Sequence, residues 1–263
     1  MTIVLIAIVL YLTAAGLLVQ AARHDRLDAT RAWLWPALGA VLLHGGYHLW
    51  VARHTPGGAD MHFFAALSLV GLGMAALTTL FGTRRRMAAL GVIVLPLAAL
   101  LLAIYHLYGH APAPALSWQL QMHAWIALLA FATLSISAWL AIMLWLQERA
   151  LRRRDFHAWL KVLPPLTELE TLLFRSITAG FVLLTLTLLT GVLFVEDFMS
   201  QHLAHKTVLS VLSWLVFGAL LIGRWRYGWR GRKAAHWTLV AMALLALAFF
   251  GSRFVLELVL QRT

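Results

Sequence analysis

Apolar residues run in eight long blocks separated by short polar spacers. They cover roughly residues 2–22, 32–52, 63–82, 87–107, 118–147, 176–195, 206–224 and 236–260. Each is close to the ~20 residues a helix needs to cross a hydrocarbon core about 30 Å thick. A membrane span must satisfy its own backbone polar groups, and the two-residue alternation of barrel strands is missing, so the blocks predict helices. The pattern predicts an all-α integral membrane protein: a bundle of about eight transmembrane helices in a single polytopic membrane domain over residues 1–263. The first block lacks the basic start and small-residue cleavage site of a signal peptide and reads as a retained first helix.

Composition narrows the class. Of 263 residues, 62% are apolar and 12% charged, where a soluble domain is nearer half apolar and a quarter charged. Mean hydropathy is +0.83. A soluble enzyme, a disordered chain and a secreted disulfide scaffold are thereby excluded. There is no cysteine, which removes disulfides, thiolate ligands, Cys nucleophiles and thioether attachment of a cofactor.

The net charge of +11 resolves into sidedness. The spacers after the first, third, fifth and seventh blocks hold 17 of the 21 Lys and Arg, including Arg84, Arg85, Arg86 and the run Arg152, Arg153, Arg154. The opposite side has Arg53, Lys206 and Arg262, and Arg253 lies inside the last block. The positive-inside rule puts the basic spacers in the cytoplasm and both termini on the outer, periplasmic side. The basic spacers also attract the anionic surface of the lipid bilayer. No spacer is large enough to fold into a nucleic-acid-binding surface.

Histidine supplies the candidate chemistry. Nine of the twelve histidines fall in the outer half or outer spacers: His44, His48, His54, His62, His106, His110, His123, His202 and His205. Neutral imidazole ligates transition metals and haem iron. His44 precedes Arg53 by nine residues, about 13 Å along a helix, which is near the midplane. A residue there faces the bundle interior, either bonded to a neighbouring helix or serving as a ligand. His48 follows at i+4 on the same face. His123 sits near the outer start of the fifth block beside Trp118 and Trp125, and His205 at the outer start of the seventh beside Lys206. Two histidines from different helices on one face match what bis-His haem ligation needs. Arg53, Lys206 and Arg253 are candidate partners for haem propionates, although Glu257, four residues after Arg253, offers it a plain intrahelical pair. Aromatic belts account for most tryptophans, but less readily for Trp214 inside the seventh block. No HExxH, GxSxG, Walker A or GxGxxG pattern occurs, and no carboxylate pair lies within a span. No catalytic residue is assigned, and no bond-making enzyme is expected.

Several segments resemble a known family. They are MHAWIALLAFATLSISAWLAIMLWLQERAL at 122–151, LETLLFRSITAGFVLLTLTLLTGVLF at 169–194, KTVLSVLSWLVFGALL at 206–221, and GWRGRKAA at 228–235 followed by FFG at 249–251. In order and spacing they resemble the cytochrome c assembly membrane protein family, the haem-handling group of CcsA- and HemX-type proteins, in its YpjD-like inner-membrane branch. Residues 118–260 carry the core of the resemblance, and the first half matches mainly through its HxxxH second block and outer Arg. The resemblance implies a bacterial inner-membrane protein handling non-covalent haem b alongside other cytochrome biogenesis membrane proteins. It places His123 where the family has an outer-face haem-ligating His, and His44 where it has a membrane-embedded one. Lys206 and Trp214 match the Lys and second Trp that close the family's tryptophan-rich loop. That loop is itself absent, replaced by EDFMSQHLAH at 196–205. The intramembrane His expected before GWRG and the outer His of the last span are also absent. The chain therefore resembles a reduced relative in which His44 and His123 ligate haem and His205 is a substitute ligand. The residues alone leave two alternatives open. One is a b-type cytochrome in electron transfer. The other is a non-haem scaffold or divalent-metal protein using His54, His62, His106 and His110.

Overall fold

The computed structural model describes residues 1–24, 31–55, 58, 61–82, 88–108, 116–153, 164–194 and 201–251, without the side chains of 201–205 and 251. They form eight α-helices: α1 (Thr2–Arg23), α2 (Leu34–His54), α3 (Phe63–Phe81), α4 (Ala88–Tyr108), α5 (Trp118–Arg152), α6 (Leu166–Phe194), α7 (Gln201–Tyr227) and α8 (Gly231–Ala246). A π-helical turn at Leu247–Gly251 continues α8. No strand occurs among the described residues, in line with the expected all-α class.

Seven of the eight helices are long and apolar enough to cross a membrane. The exception is α2. Its 21 residues suffice in length, but His44, Gly45, Gly46, Tyr47 and His48 interrupt its hydropathy at the centre. The same residues make it the most chemically equipped helix of its unit.

Most helix ends fall within two residues of the apolar blocks, and the larger differences among the described residues are extensions. α6 begins at Leu166, ten residues before the block, and α5 runs on to Arg152. Apolarity marks only the part of a helix that lies in hydrocarbon, whereas the hydrogen-bond ladder continues into the polar boundary. Arg175, assigned from the sequence to a spacer, therefore lies within α6. The first turn of α6 carries Glu168, which complements the positive N-terminal end of the helix dipole.

The chain divides into two units, residues 1–116 with 157–164, and residues 117–156 with 165–263. In the first, α1 packs on α2 and α4, and α3 packs on α2 and α4. This is a closed four-helix ring. One core cluster draws on all four helices: Val4 and Ala7 of α1, Tyr47 and Val51 of α2, Ala65 of α3, and Leu102 and Tyr105 of α4. Pro96 lies inside α4, tolerated because membrane neighbours re-satisfy the freed backbone groups.

In the second unit α5 packs on α6 and α8, and α7 packs on α6 and α8. Lipid gives helices no hydrophobic reason to associate, so close packing and interhelical hydrogen bonds must do so. Gly180 of α6 is where this is sharpest, because a Cβ there would stand 2.5 Å from Leu134 Cδ2. Beside it Ser137 Oγ lies 2.7 Å from Ser176 Oγ. Ser213 Oγ of α7 donates to the Ala241 carbonyl of α8 at 2.8 Å.

Candidate functional site

Two polar sites emerge, one in each unit. In the first unit His44 is fully buried. Its Nδ1 lies 3.2 Å from Tyr11 Oη on α1, and its Nε2 lies 2.9 Å from Ser68 Oγ on α3. His48 Nε2 meets the same hydroxyl at 3.0 Å. The three contacts form one chain whose direction follows the histidine tautomers. In the direction that uses the Tyr11 proton, the Tyr11 O–H donates to His44 Nδ1, the His44 Nε2–H to Ser68, and the Ser68 O–H to His48 Nε2. Burial makes such satisfaction obligatory, since an orphaned polar group in hydrocarbon costs several kcal/mol by rough estimate.

Aromatic contacts extend the cluster. The His44 and His48 rings stack with centroids 5.4 Å apart, and His48 stacks on Tyr105 at 4.7 Å. Tyr47 Oη is 2.8 Å from His106 Nδ1, and His62 lies 5.9 Å from Tyr105. His44 and His48 thus share a face, as their spacing requires. That stacked geometry prevents the pair from bracketing one haem iron, whose two axial ligands approach from opposite sides. His44 in this arrangement has both nitrogens engaged. Among the described residues no group of three or more His, Asp or Glu is close enough to hold a metal ion.

The site in the second unit is built on α6. His123, half-buried on α5, places Nδ1 2.9 Å from Thr190 Oγ1. The Thr190 hydroxyl has one proton, and it is directed at the Leu186 or Thr187 carbonyl, 2.8 and 3.0 Å away. The hydroxyl therefore accepts from the His123 Nδ1–H, and the lone pair resides on Nε2. This is the tautomer of an imidazole that ligates through Nε2, with Nδ1–H tied to a supporting acceptor. Gly191 faces the ring: a Cβ there would come within 3.3 Å of His123 Cε1.

Trp214 of α7 docks on the same helix. Its Nε1–H donates to Thr185 Oγ1 at 2.8 Å, and its ring stacks on Phe181 at 5.4 Å. Thr185 and Thr190 are five residues apart, about 7.5 Å along α6. Lys206 lies eight residues before Trp214, about 12 Å toward the start of α7, on the His123 side. His205 lies on the α7 backbone, and its side chain is outside the described residues. Arg253 also lies outside them. Arg53 is exposed on the last turn of α2.

The structure adds a cluster that spacing alone does not reveal. Glu170, buried on α6, accepts from Arg230 Nε at 3.1 Å and from the Gly231 backbone N–H at 2.7 Å. Arg224 Nη1 is 3.9 Å from the same carboxylate. The carboxylate caps the N-terminus of α8, where a negative charge also meets the helix dipole. It joins the LExLxxR and GWRGRKAA segments, sixty residues apart in sequence.

The described residues define a multi-pass helical membrane protein with imidazoles bonded to hydroxyl partners on neighbouring helices. Residues 40–260 match the cytochrome c assembly protein family, and the chain belongs to that family. The match begins in α2, well ahead of the 118–260 segment in which the motif resemblance concentrates. Inner membrane protein YpjD of Escherichia coli K12 is 29% identical over 258 residues, 97% of this chain and 98% of that protein. An uncharacterized 28.8 kDa protein of Azospirillum brasilense is 33% identical over 248 residues, 89% of this chain and 88% of that one. Cytochrome c biogenesis protein CcsA of Prochlorococcus marinus is 34% identical over 90 residues, 34% of this chain and 29% of that protein. No solved structure matches.

Proposed function

We propose that this protein is an inner-membrane accessory component of cytochrome c assembly or haem trafficking that holds non-covalent haem b on its outer face. The observation carrying this reading is the His123–Thr190 pair, in which a hydroxyl of α6 engages Nδ1 of an interfacial imidazole, so that Nε2 is the nitrogen assigned to the ligand. Haem, when bound, supplies an iron that takes an axial imidazole nitrogen and two propionates that seek cations. His123 fits the axial role. Trp214 of α7 offers an apolar ring against α6, the helix that also carries Thr190, and Lys206 lies toward the propionate end of such a site, with Arg253 and His205 as further outer-face candidates; Arg53 remains a candidate within the first unit. His44 and His48 fit less directly. A ligand role for His44 requires it to give up Ser68 or Tyr11, so its first role is to hold α1, α2 and α3 together.

The reading assigns the protein binding and presentation of haem rather than bond-making, with other cytochrome biogenesis membrane proteins as partners. Both termini lie on the periplasmic side in this reading, as the charge asymmetry directs. Protein purified in mild detergent and supplemented with haem is expected to show a Soret band that His123→Ala weakens. Absence of the band in the supplemented wild type overturns the reading.

A further inference from the structure

A shallow, open groove of about 700 Å³ runs along α6, with Arg224 reaching it from α7. Its floor is a single face of α6, from Thr171 through Phe174 and Thr178 to Val182, with Ala179 opening the hollow. Two guanidinium groups, those of Arg175 and Arg224, stand at one end. Arg224 lies over the Phe174 ring, 4.7 Å from its centroid, its Nη1 donates to the Trp229 carbonyl at 3.4 Å, and among the described residues Glu170 is the one carboxylate near it, at 3.9 Å. That carboxylate also accepts from Arg230 and the Gly231 N–H, so its single negative charge is shared with Arg230 and leaves the end of the groove net positive. Arg175 is exposed and has no carboxylate partner among the described residues.

The Thr171 and Thr178 hydroxyls donate to the Thr167 and Phe174 carbonyls, leaving the arginines as the donors at this end. Arg175 is the tenth residue of a 29-residue helix, and about 20 residues suffice to cross the core. The two cations therefore stand at the membrane boundary with an apolar trough running from them into the hydrocarbon. From this geometry we infer that the groove is a binding site for an anionic phospholipid. The phosphate is held by Arg175 and Arg224, and an acyl chain lies along the α6 face between Phe174 and Val182. Guanidinium recognises phosphate through paired N–H donors, and the apolar floor fits a hydrocarbon tail and not a free ion.

This site does not depend on the haem reading. Full-length protein, delipidated in neutral detergent, is titrated with fluorescent phosphatidylglycerol and separately with phosphatidylcholine. Saturable binding of phosphatidylglycerol is expected, with at least fivefold weaker binding of phosphatidylcholine. Arg175→Gln is expected to weaken phosphatidylglycerol binding about fivefold, the scale of one interfacial cation. Ala179→Leu, which fills the hollow without touching charge, is expected to weaken it as well. Arg149→Gln, on α5 over Trp145, is expected to leave it unchanged. Equal binding to all three variants, displacement by millimolar inorganic phosphate, or stoichiometric displacement by haem overturns the proposal. The Soret titration of Arg175→Gln should match wild type, so failure of one reading is distinguishable from failure of the other.

Discussion

Thr190 meets His123 across α5 and α6, Oγ1 to Nδ1 at 2.9 Å. With its hydroxyl proton on a carbonyl of its own helix, Thr190 accepts from the His123 Nδ1–H, beside the Thr187 backbone that the same imidazole also bonds. The imidazole then carries its lone pair on Nε2, in an orientation set by packing. An interfacial histidine is common; the proposed ligand role of this one rests on its Nδ1 being engaged by a second helix.

If that preparation matters, haem affinity should depend on Thr190 as well as on His123. Thr190→Val keeps the shape and removes the acceptor, and is expected to weaken haem binding between about 10- and 100-fold, the usual cost of losing a supporting partner. Thr190→Ser should retain most of it. Gly191→Ala, which puts a Cβ 3.3 Å from His123 Cε1, should shift the Soret maximum by tilting the ring. Visible titrations of the three variants test this, and equal affinity for Thr190→Val and wild type removes the tautomer from the argument.

The first unit should respond as a network. Ser68→Ala leaves His44 and His48 each short of a partner, and Tyr11→Phe removes the donor at the other end of the chain. Each is expected to cost about 0.6–2 kcal/mol, the span of interhelical hydrogen bonds in membranes. The double variant should cost less than the two single costs added, because the groups share one chain of bonds. Chemical unfolding in mixed micelles measures the cycle. Strict additivity would show that Tyr11 and Ser68 act independently on His44.

Glu170 should matter more than any one of its arginines. Glu170→Ala releases the α8 cap and leaves Arg224 and Arg230 together without a counter-charge. Arg230→Ala removes only a largely exposed partner and leaves the Gly231 N–H bond in place. The expected order of thermal destabilisation is Glu170→Ala first, then Arg230→Ala with little effect, consistent with the small worth of exposed pairs. The reverse order would show that the cap is dispensable.

The lack of native cysteine makes sidedness directly measurable. Ser117→Cys, before α5, is expected to react with a membrane-impermeant maleimide in intact spheroplasts. Arg153→Cys, after α5, should react only once the membrane is opened. Opposite labelling would invert the topology derived from the charge asymmetry.

By itself the sequence determined the all-helical class and the number of helices, because lipid permits a 20-residue apolar run little else. It also determined the family, through LExLxxR and GWRGRKAA, and the shared face of His44 and His48, which follows from helical spacing alone. Helix ends were less legible, since hydropathy reports the hydrocarbon boundary and the backbone ladder runs past it, as α6 does by ten residues. The partners of each imidazole were decided only by tertiary structure. Tyr11, Ser68 and Thr190 are ordinary membrane-helix residues in sequence, and Glu170 falls outside the apolar blocks, with nothing in its spacing to pair it with Arg230. Which nitrogen of His123 is free, and whether His44 has one to spare, depends on which hydroxyl a neighbouring helix delivers to it. Packing between helices sets that, and no periodicity along one strand of sequence records it.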